Sequence, residues 1–301
     1  MGVFPYPIDS ADLNAIVLRG TATAPGTCGE LVQGTIEGEP FLITCPIDLW
    51  SEVTVELGQW GEHSRGLEKS YHALQMTLDY LGQPTYRGSI LRNSRLPESK
   101  GMASSSADIA ATCLATARAF GQELRAEIIA KIATSIEPSD GIMFPGIIIC
   151  NHLNGVVKKY LGPAPPLKLV IADPGGTVDT ILFNHRKDLA SKNLQKEPMV
   201  RQATDLVTRG LLTRDWEMLG RGASISAQAN QVILPKPHLA QWLRWAAELQ
   251  ALGVLVAHSG TVMGMLMHPD RVAAGEAAQY IGHKRPGWQV WQTTMVSGGL
   301  K

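Results

Sequence analysis

The sequence has no excess of either charge: 27 basic and 27 acidic side chains balance over 301 residues. Nucleic acids and anionic bilayers are bound through clustered Lys and Arg, so neither is expected as a partner. Cysteine is scarce as well. Cys28, Cys45, Cys113 and Cys150 stand far apart, with no CxxC pair and no histidine at zinc-ligand spacing. A thiolate metal site is therefore not expected, and the thiols read as the reduced cysteines of a cytoplasmic protein. Long apolar runs are also missing. The best, around Ile142 to Cys150, is broken by Pro145 and Gly146, well short of the roughly 20 residues that span a bilayer. The opening MGVFPYPIDSAD has no apolar core, and the first basic residue is Arg19, so no secretory signal is expected. Tyr6 breaks the myristoylation pattern. GxxxxGK[ST] is absent, which excludes a Walker-type nucleotide site. GxSxG is absent too, which leaves a serine hydrolase without its nucleophile elbow.

What remains is a chain of ordinary globular composition, 45% hydrophobic and 18% charged, long enough for two modest domains. Val53, Val55 and Leu57 alternate with polar residues and predict a strand over 41–57. Leu67, Tyr71, Leu74, Leu78 and Leu81 recur at helical spacing, with Gly82 as the stop. A strand over 86–96, an alanine-rich helix over 104–120 and a helix over 124–135 follow. GIIIC and GVVKKYL read as paired strands joined by the turn Asn151 to Gly155. The segment GPAPP, residues 162 to 166, divides the chain, giving domains 1–162 and 163–301. Beyond it come a strand over 167–172, helices over 187–208, 214–230 and 238–252, and strands over 264–267 and 289–296. Trp242, Trp245, Met263, Met265 and Met267 have the spacing of packed core. The order of elements is α+β.

Three glycine-rich segments stand out, each read as a loop at a strand end: APGTCGELVQG at 24–34, PESKGMASSSAD at 97–108 and LGVLVAHSGTVMG at 252–264. In the middle one, a Pro/Gly loop meets three serines at the start of a helix. Unpartnered N–H groups and the positive end of the macrodipole make such a start an anion site. Ser is also a preferred helix cap, so Ser104 to Ser106 read either as caps or as phosphate and magnesium ligands. Glu137 and Asp140 flank a tight turn just after a helix, which fits either two convergent carboxylates or an Asx-type turn. Lys100 reads as a phosphate-screening ammonium or a solvated loop lysine. Cys28, with no histidine near it in sequence, reads as a packing residue.

Together these motifs resemble the GHMP kinases, the small-molecule kinases named for galactokinase, homoserine kinase, mevalonate kinase and phosphomevalonate kinase. Pro97 and Gly101-Met102-Ala103-Ser104-Ser105-Ser106-Ala107 match the family's middle motif, with Met102, Ala103 and Ser106 in place of its Leu, Gly and Ala. Pro25-Gly26 and Gly29-Glu30 match the first motif. Ser259, Gly260 and Gly264 match the third, with Val262 where a second glycine is usual. APGTCGELVQG, LPESKGMASSSADIAA, IEPSDGIMFPG and AHSGTVMG together look like the L-threonine kinase branch.

The resemblance implies a two-domain α+β fold, with a ribosomal protein S5 domain 2-like N-terminal domain and a ferredoxin-like C-terminal domain. It implies ATP and Mg²⁺, with residues 97 to 106 around the phosphates and Ser105 and Glu137 on the metal. Asp140 would accept or orient the hydroxyl proton. Thr27, Gly29 and Glu30 of the first motif, with Ser259 and Gly260 of the third, would line the pocket for L-threonine, with Glu30 on its ammonium. By position alone, His258 beside Ser259 reads either as a phosphate or substrate contact or as a structural histidine, and Arg19, just ahead of the first motif, is a candidate cation for the substrate carboxylate. Its product would feed the aminopropanol arm of cobalamin. Homoserine kinase, a non-catalytic binding regulator of the same fold and a homodimeric assembly all remain open at this level.

Overall fold

The computed structural model of the chain describes residues 17–58, 66–176 and 186–301. The N-terminal stretch behind the targeting reading lies outside these. Two long strands open the fold: β1 (Leu18–Ile36) and β2 (Glu39–Gly58) pair antiparallel from Leu18 opposite Leu57 to Ile36 opposite Glu39. Their alternation puts Ala22, Ala24, Val53 and Val55 into the core. The register shifts between Pro25 and Gly26 and again on either side of Glu30. Bulges of this kind bend a strand and re-aim its side chains. The first glycine-rich motif is thus not a loop at a strand end but the bulged middle of β1. Its glycines accommodate irregular backbone without ending the pairing.

β2 divides along its length. Its later half pairs with β3 (Arg87–Ser94), and its earlier half meets β4 (Ile147–Cys150) through Leu42 and Ile43. β4 returns as β5 (Val157–Gly162) across the turn expected at Asn151 to Gly155. Helices α1 (Glu68–Tyr80), α2 (Ser104–Ala119) and α3 (Ala126–Ile136) complete this half. Every residue of α2 from Ser106 to Ala117 is buried, so its alanines serve as small packing surfaces between the sheet and the other two helices.

The second half begins with β6 (Lys168–Asp173) and runs through α4 (Leu189–Thr213), α5 (Trp216–Ala229) and α6 (Leu239–Glu248). Then come β7 (Gly253–Val256), β8 (Met263–Met267), α7 (Ala274–Lys284) and β9 (Gln289–Thr294). The strands lie antiparallel in the order β7-β8-β6-β9, the split βαβ order of a ferredoxin-like domain. Strand β7 and helix α7 were not anticipated. β7 is only four residues inside a motif read as loop, and the buried face of α7 is marked mainly by the small residues Ala274 and Ala277.

β8 serves two cores by alternation: Met263, Met265 and Met267 join Trp242 and Trp245, while Leu266 points the other way. That other side is a core shared by both halves, where Leu31, Ile43 and Ile47 of the first sheet meet Leu169, Ile171 and Leu255 of the second. The shared core brings the β1 bulge, the α2 N-terminus and the β7–β8 connection together.

Candidate active site

The candidate phosphate loop turns into α2 through left-handed residues at alternate positions: Ser99, Gly101 and Ala103 have φ of 59°, 80° and 59°. Backbone of alternating hand turns N–H groups toward one side and makes a concavity for an anion. Ala103 is the N-cap of α2 and no side chain caps it. The first helical bond runs from Ala107 N to Ala103 O at 2.9 Å, so the N–H groups of Ser104, Ser105 and Ser106 have no acceptor in the helix. The serines therefore do not act as caps. Ser104 and Ser105 are half-buried, and Ser106 donates its hydroxyl to Asp140 Oδ2 at 3.0 Å.

The three glycine motifs meet backbone to backbone. Lys100 O accepts from Thr261 N at 3.0 Å and Val262 N at 3.2 Å, and Met102 O accepts from Thr27 N at 3.1 Å. A Cβ on Gly260 would lie 2.2 Å from Lys100 O, and one on Gly101 2.3 Å from the Ala257 Cβ. No side chain fits at either position. Val262, standing where the family has a second glycine, spends its N–H on Lys100 and buries its side chain. The third motif thus braces the candidate phosphate loop from behind.

Glu137 and Asp140 follow α3. Burial pushes Asp140 up to about 7, reinforced by the charges of Glu30 and Glu137 and opposed by the Ser106 hydrogen bond. Lys69 of α1 donates to Glu137 Oε2 at 2.5 Å, while Glu137 Oε1 is buried without a hydrogen-bond partner. Beside them a cleft of about 190 Å³ is lined by residues that include Lys69, Arg92, Glu98, Ser104, Ser105 and Asp108. Arg92 is held between Asp108 at 3.0 Å and Glu98 at 2.7 Å, and Asp108 also accepts from Ser51 Oγ at 2.5 Å. The half-buried Ser105 hydroxyl and the unpartnered Glu137 oxygen are hard donors of the kind Mg²⁺ takes alongside phosphate and water.

A second group of polar side chains is buried where the halves meet. Glu30 Oε2 lies 2.6 Å from His258 Nδ1, and His258 Nε2 lies 3.4 Å from Ser226 Oγ of α5. Burial raises Glu30 to about 7, against the pull of the His258 backbone N–H, Lys236 and Lys196. Burial and the same two lysines hold His258 well below its ordinary value, so the imidazole is neutral. Lys196 of α4 donates to Gln33 O at 3.1 Å and Asn230 Oδ1 at 3.5 Å. Lys236 donates to Gly260 O and lines a cleft of about 220 Å³ with Gly175, His238 and Thr261. Burial lowers both lysines to about 8. Thr27 adds a buried hydroxyl without a partner.

Some expected residues are placed otherwise. The Lys100 ammonium is not free in the loop: it lies 2.7 Å from Asp173 Oδ2 and donates to Gly176 O at 2.7 Å. Asp173 is buried and would otherwise be an unpaired charge, so Lys100 ties the candidate phosphate loop to the end of β6. The Met102 side chain is core, leaving only its backbone to the loop. Arg19 is no carboxylate partner; its side chain is 63% exposed and pairs with Glu56 at 3.7 Å. Pro97 is half-buried where the loop begins, Gly29 presses on the Val256 carbonyl, and Ser259 is half-buried beside Gly260. Cys28 is fully buried, and burial pushes its thiol up, as suits a packing residue. Lys69, Lys196, Asn230 and Lys236 carry no motif that sequence reasoning could have used. Only the setting of Lys236 between Pro235 and Pro237 is locally unusual.

Comparison with known proteins gives the same outline. The model of the GHMP kinases N terminal domain matches residues 68–145, and that of the GHMP kinases C terminal region matches 207–284. An L-threonine kinase of Salmonella typhimurium is 34% identical over 286 residues, 93% of this chain and 94% of that protein. One of Citrobacter freundii is 32% identical over 253 residues, 83% of this chain and 87% of its own. The crystal structure of a homoserine kinase from Cytophaga hutchinsonii superposes with a TM-score of 0.74, covering 100% of this chain and 99% of that one at 18% identity, a likeness of fold. With three glycine motifs in backbone contact around an uncapped helix start and relatives along nearly its whole length, the chain belongs to the GHMP kinase family.

Proposed function

We propose that the protein transfers the γ-phosphoryl group of ATP to the side-chain hydroxyl of L-threonine, giving O-phospho-L-threonine and ADP. The observation that carries the reading is the 3.0 Å contact between Ser106 and Asp140 at the uncapped start of α2. It sets a carboxylate of raised pKa beside a phosphate cradle. The substrate follows the relatives at 34% and 32% identity, both L-threonine kinases.

Phosphoryl transfer asks a protein mainly for alignment and charge stabilisation. The N–H groups of residues 101 to 106 would hold the phosphates, and Ser105 and Glu137 would hold the metal. Mg²⁺ held there would supply positive charge to offset the charge that develops on the transferring phosphoryl group. The threonine oxygen attacks the γ-phosphorus, the bond from that phosphorus to the bridging oxygen of ADP breaks, and the hydroxyl proton passes to Asp140. A base near 7 is matched to neutral pH. It acts late, once the hydroxyl proton becomes acidic through bonding to phosphorus. Glu30, backed by the neutral His258, takes the substrate ammonium, and Thr27, Gly29, Ser259 and Gly260 line the pocket.

The buried free thiols support a cytoplasmic setting, and among the described residues no helix is long and apolar enough to cross a membrane. Phosphothreonine from such an enzyme suits the aminopropanol arm of cobalamin synthesis, and 1–162 and 163–301 are taken as the two domains. The test is ADP release from Mg-ATP with L-threonine, L-serine, L-homoserine or no acceptor. Release that depends on L-threonine and exceeds the others supports the reading, and acceptor-independent or homoserine-selective release rejects it.

A further inference from the structure

Lys196 is a buried cation that no carboxylate touches among the described residues. It is 3% exposed, its ammonium donates to two neutral oxygens, Gln33 O at 3.1 Å and Asn230 Oδ1 at 3.5 Å, and no acidic side chain among the described residues pairs with it. An ammonium has three protons to give, so one is uncommitted. Keeping such a charge from water is costly, and burial lowers its pKa although the charge of Glu30 opposes the shift. Beside it stands Asn230, 1% exposed, whose Nδ2 is buried with no hydrogen-bond partner. Two donors, one charged and one neutral, are therefore adjacent and short of acceptors.

A group that satisfies both carries a negative charge and two acceptor oxygens on one atom, which describes a carboxylate. Glu30 lies close enough for its charge to act on Lys196, and it offers the opposite sign. An α-amino acid carries an ammonium and a carboxylate on one carbon and matches this pairing. We infer that Lys196 and Asn230 together form the receptor for the α-carboxylate of the amino-acid substrate, an assignment that rests on the proposed function. The pair sits on α4 and just past α5, so the second half of the chain supplies the carboxylate contacts while Glu30 of the first half faces the ammonium.

The test is calorimetric titration of the intact protein with L-threonine and with L-threoninamide, which keeps the ammonium, hydroxyl and methyl and lacks the negative charge. Truncating a buried charge pair weakens binding by roughly 30-fold to several thousand-fold, so the wild type should prefer L-threonine by about 10²-fold or more. In Lys196→Met the two ligands should bind within about threefold of one another. Asn230→Asp should do the same, because it keeps the side-chain shape and hands Lys196 an internal carboxylate. It reads the same contact even where Lys196→Met fails to fold. Retention of the preference in both variants would overturn the inference alone, as would its loss in Lys236→Met with Lys196→Met unaffected. Absence of L-threonine binding and phosphorylation in the wild type would overturn the proposed function along with it.

Discussion

Asp140→Asn should make the protein inactive and more stable at once. The substitution removes a negative charge, keeps the side-chain shape and keeps an acceptor for the Ser106 hydroxyl. The wild-type carboxyl is raised from 3.8 to about 7, roughly three pK units, and at about 1.4 kcal/mol per unit the ionised form costs at most about 4 kcal/mol of stability. Glu30 and Glu137 supply part of that shift, and an amide is also desolvated in the site, so a net gain of about 1–3 kcal/mol is expected at pH 8. For a chain of this length that is a rise in Tm of about 2–5 °C. The sign follows from linkage. A carboxyl raised in the fold favours folding fully below its unfolded pKa and loses that advantage as pH rises through about 7. The gap between variant and wild type should therefore be full at pH 8, smaller at pH 5 and absent near pH 4. Turnover should fall by about 10²-fold to 10⁴-fold. Thermal unfolding at the three pH values and steady-state rates at saturating substrate test both halves. A variant less stable than wild type at pH 8, or one losing less than tenfold in kcat, would refute the argument.

The pH profile of kcat/KM for L-threonine should be a narrow bell, because Asp140 must be ionised with a pKa near 7 and Lys196 protonated with one near 8; a flat profile from pH 6 to 9 would contradict it. Glu137→Gln should raise the Mg²⁺ concentration for half-maximal rate by about 10-fold to 100-fold, and an unchanged magnesium dependence in rate titrations would remove Glu137 from the metal site. Gly260→Ala places a methyl 2.2 Å from Lys100 O, which should push the phosphate loop away and raise the KM for ATP about tenfold with circular dichroism unchanged; a wild-type KM would show that the loop contact does not matter.

The local elements were legible where periodicity was strong. Leu67 to Leu81 and Leu239 to Leu249 repeat at helical spacing because each helix buries one face, and both helices formed. The first motif was misread because glycine in a bulged strand looks like glycine in a loop; only the β1–β2 register separates the two. The juxtaposition of the serines with Asp140 was legible because Ser106 and Asp140, 3.0 Å apart, stand in two short contiguous motifs at a helix start and just after a helix end. Lys196, Asn230 and Lys236 were not, because each comes from a different stretch of the second half and acquires meaning only beside Glu30. Lys100 shows the converse: its place in the loop suggested a free ammonium, while its partner Asp173 lies 73 residues away on β6.

The central claim, transfer to the secondary hydroxyl of L-threonine, is tested most directly by competition. Equal L-threonine and L-homoserine are incubated with Mg-ATP in one tube, and the products are read by proton-coupled phosphorus NMR. A phosphomonoester on a secondary carbon is split into a doublet by its single neighbouring hydrogen, and one on a primary carbon into a triplet. A pocket shaped for the threonine methyl should favour the doublet by about tenfold or more. Dominance of the triplet, or no acceptor-dependent phosphomonoester from a protein that binds ATP, would contradict the account.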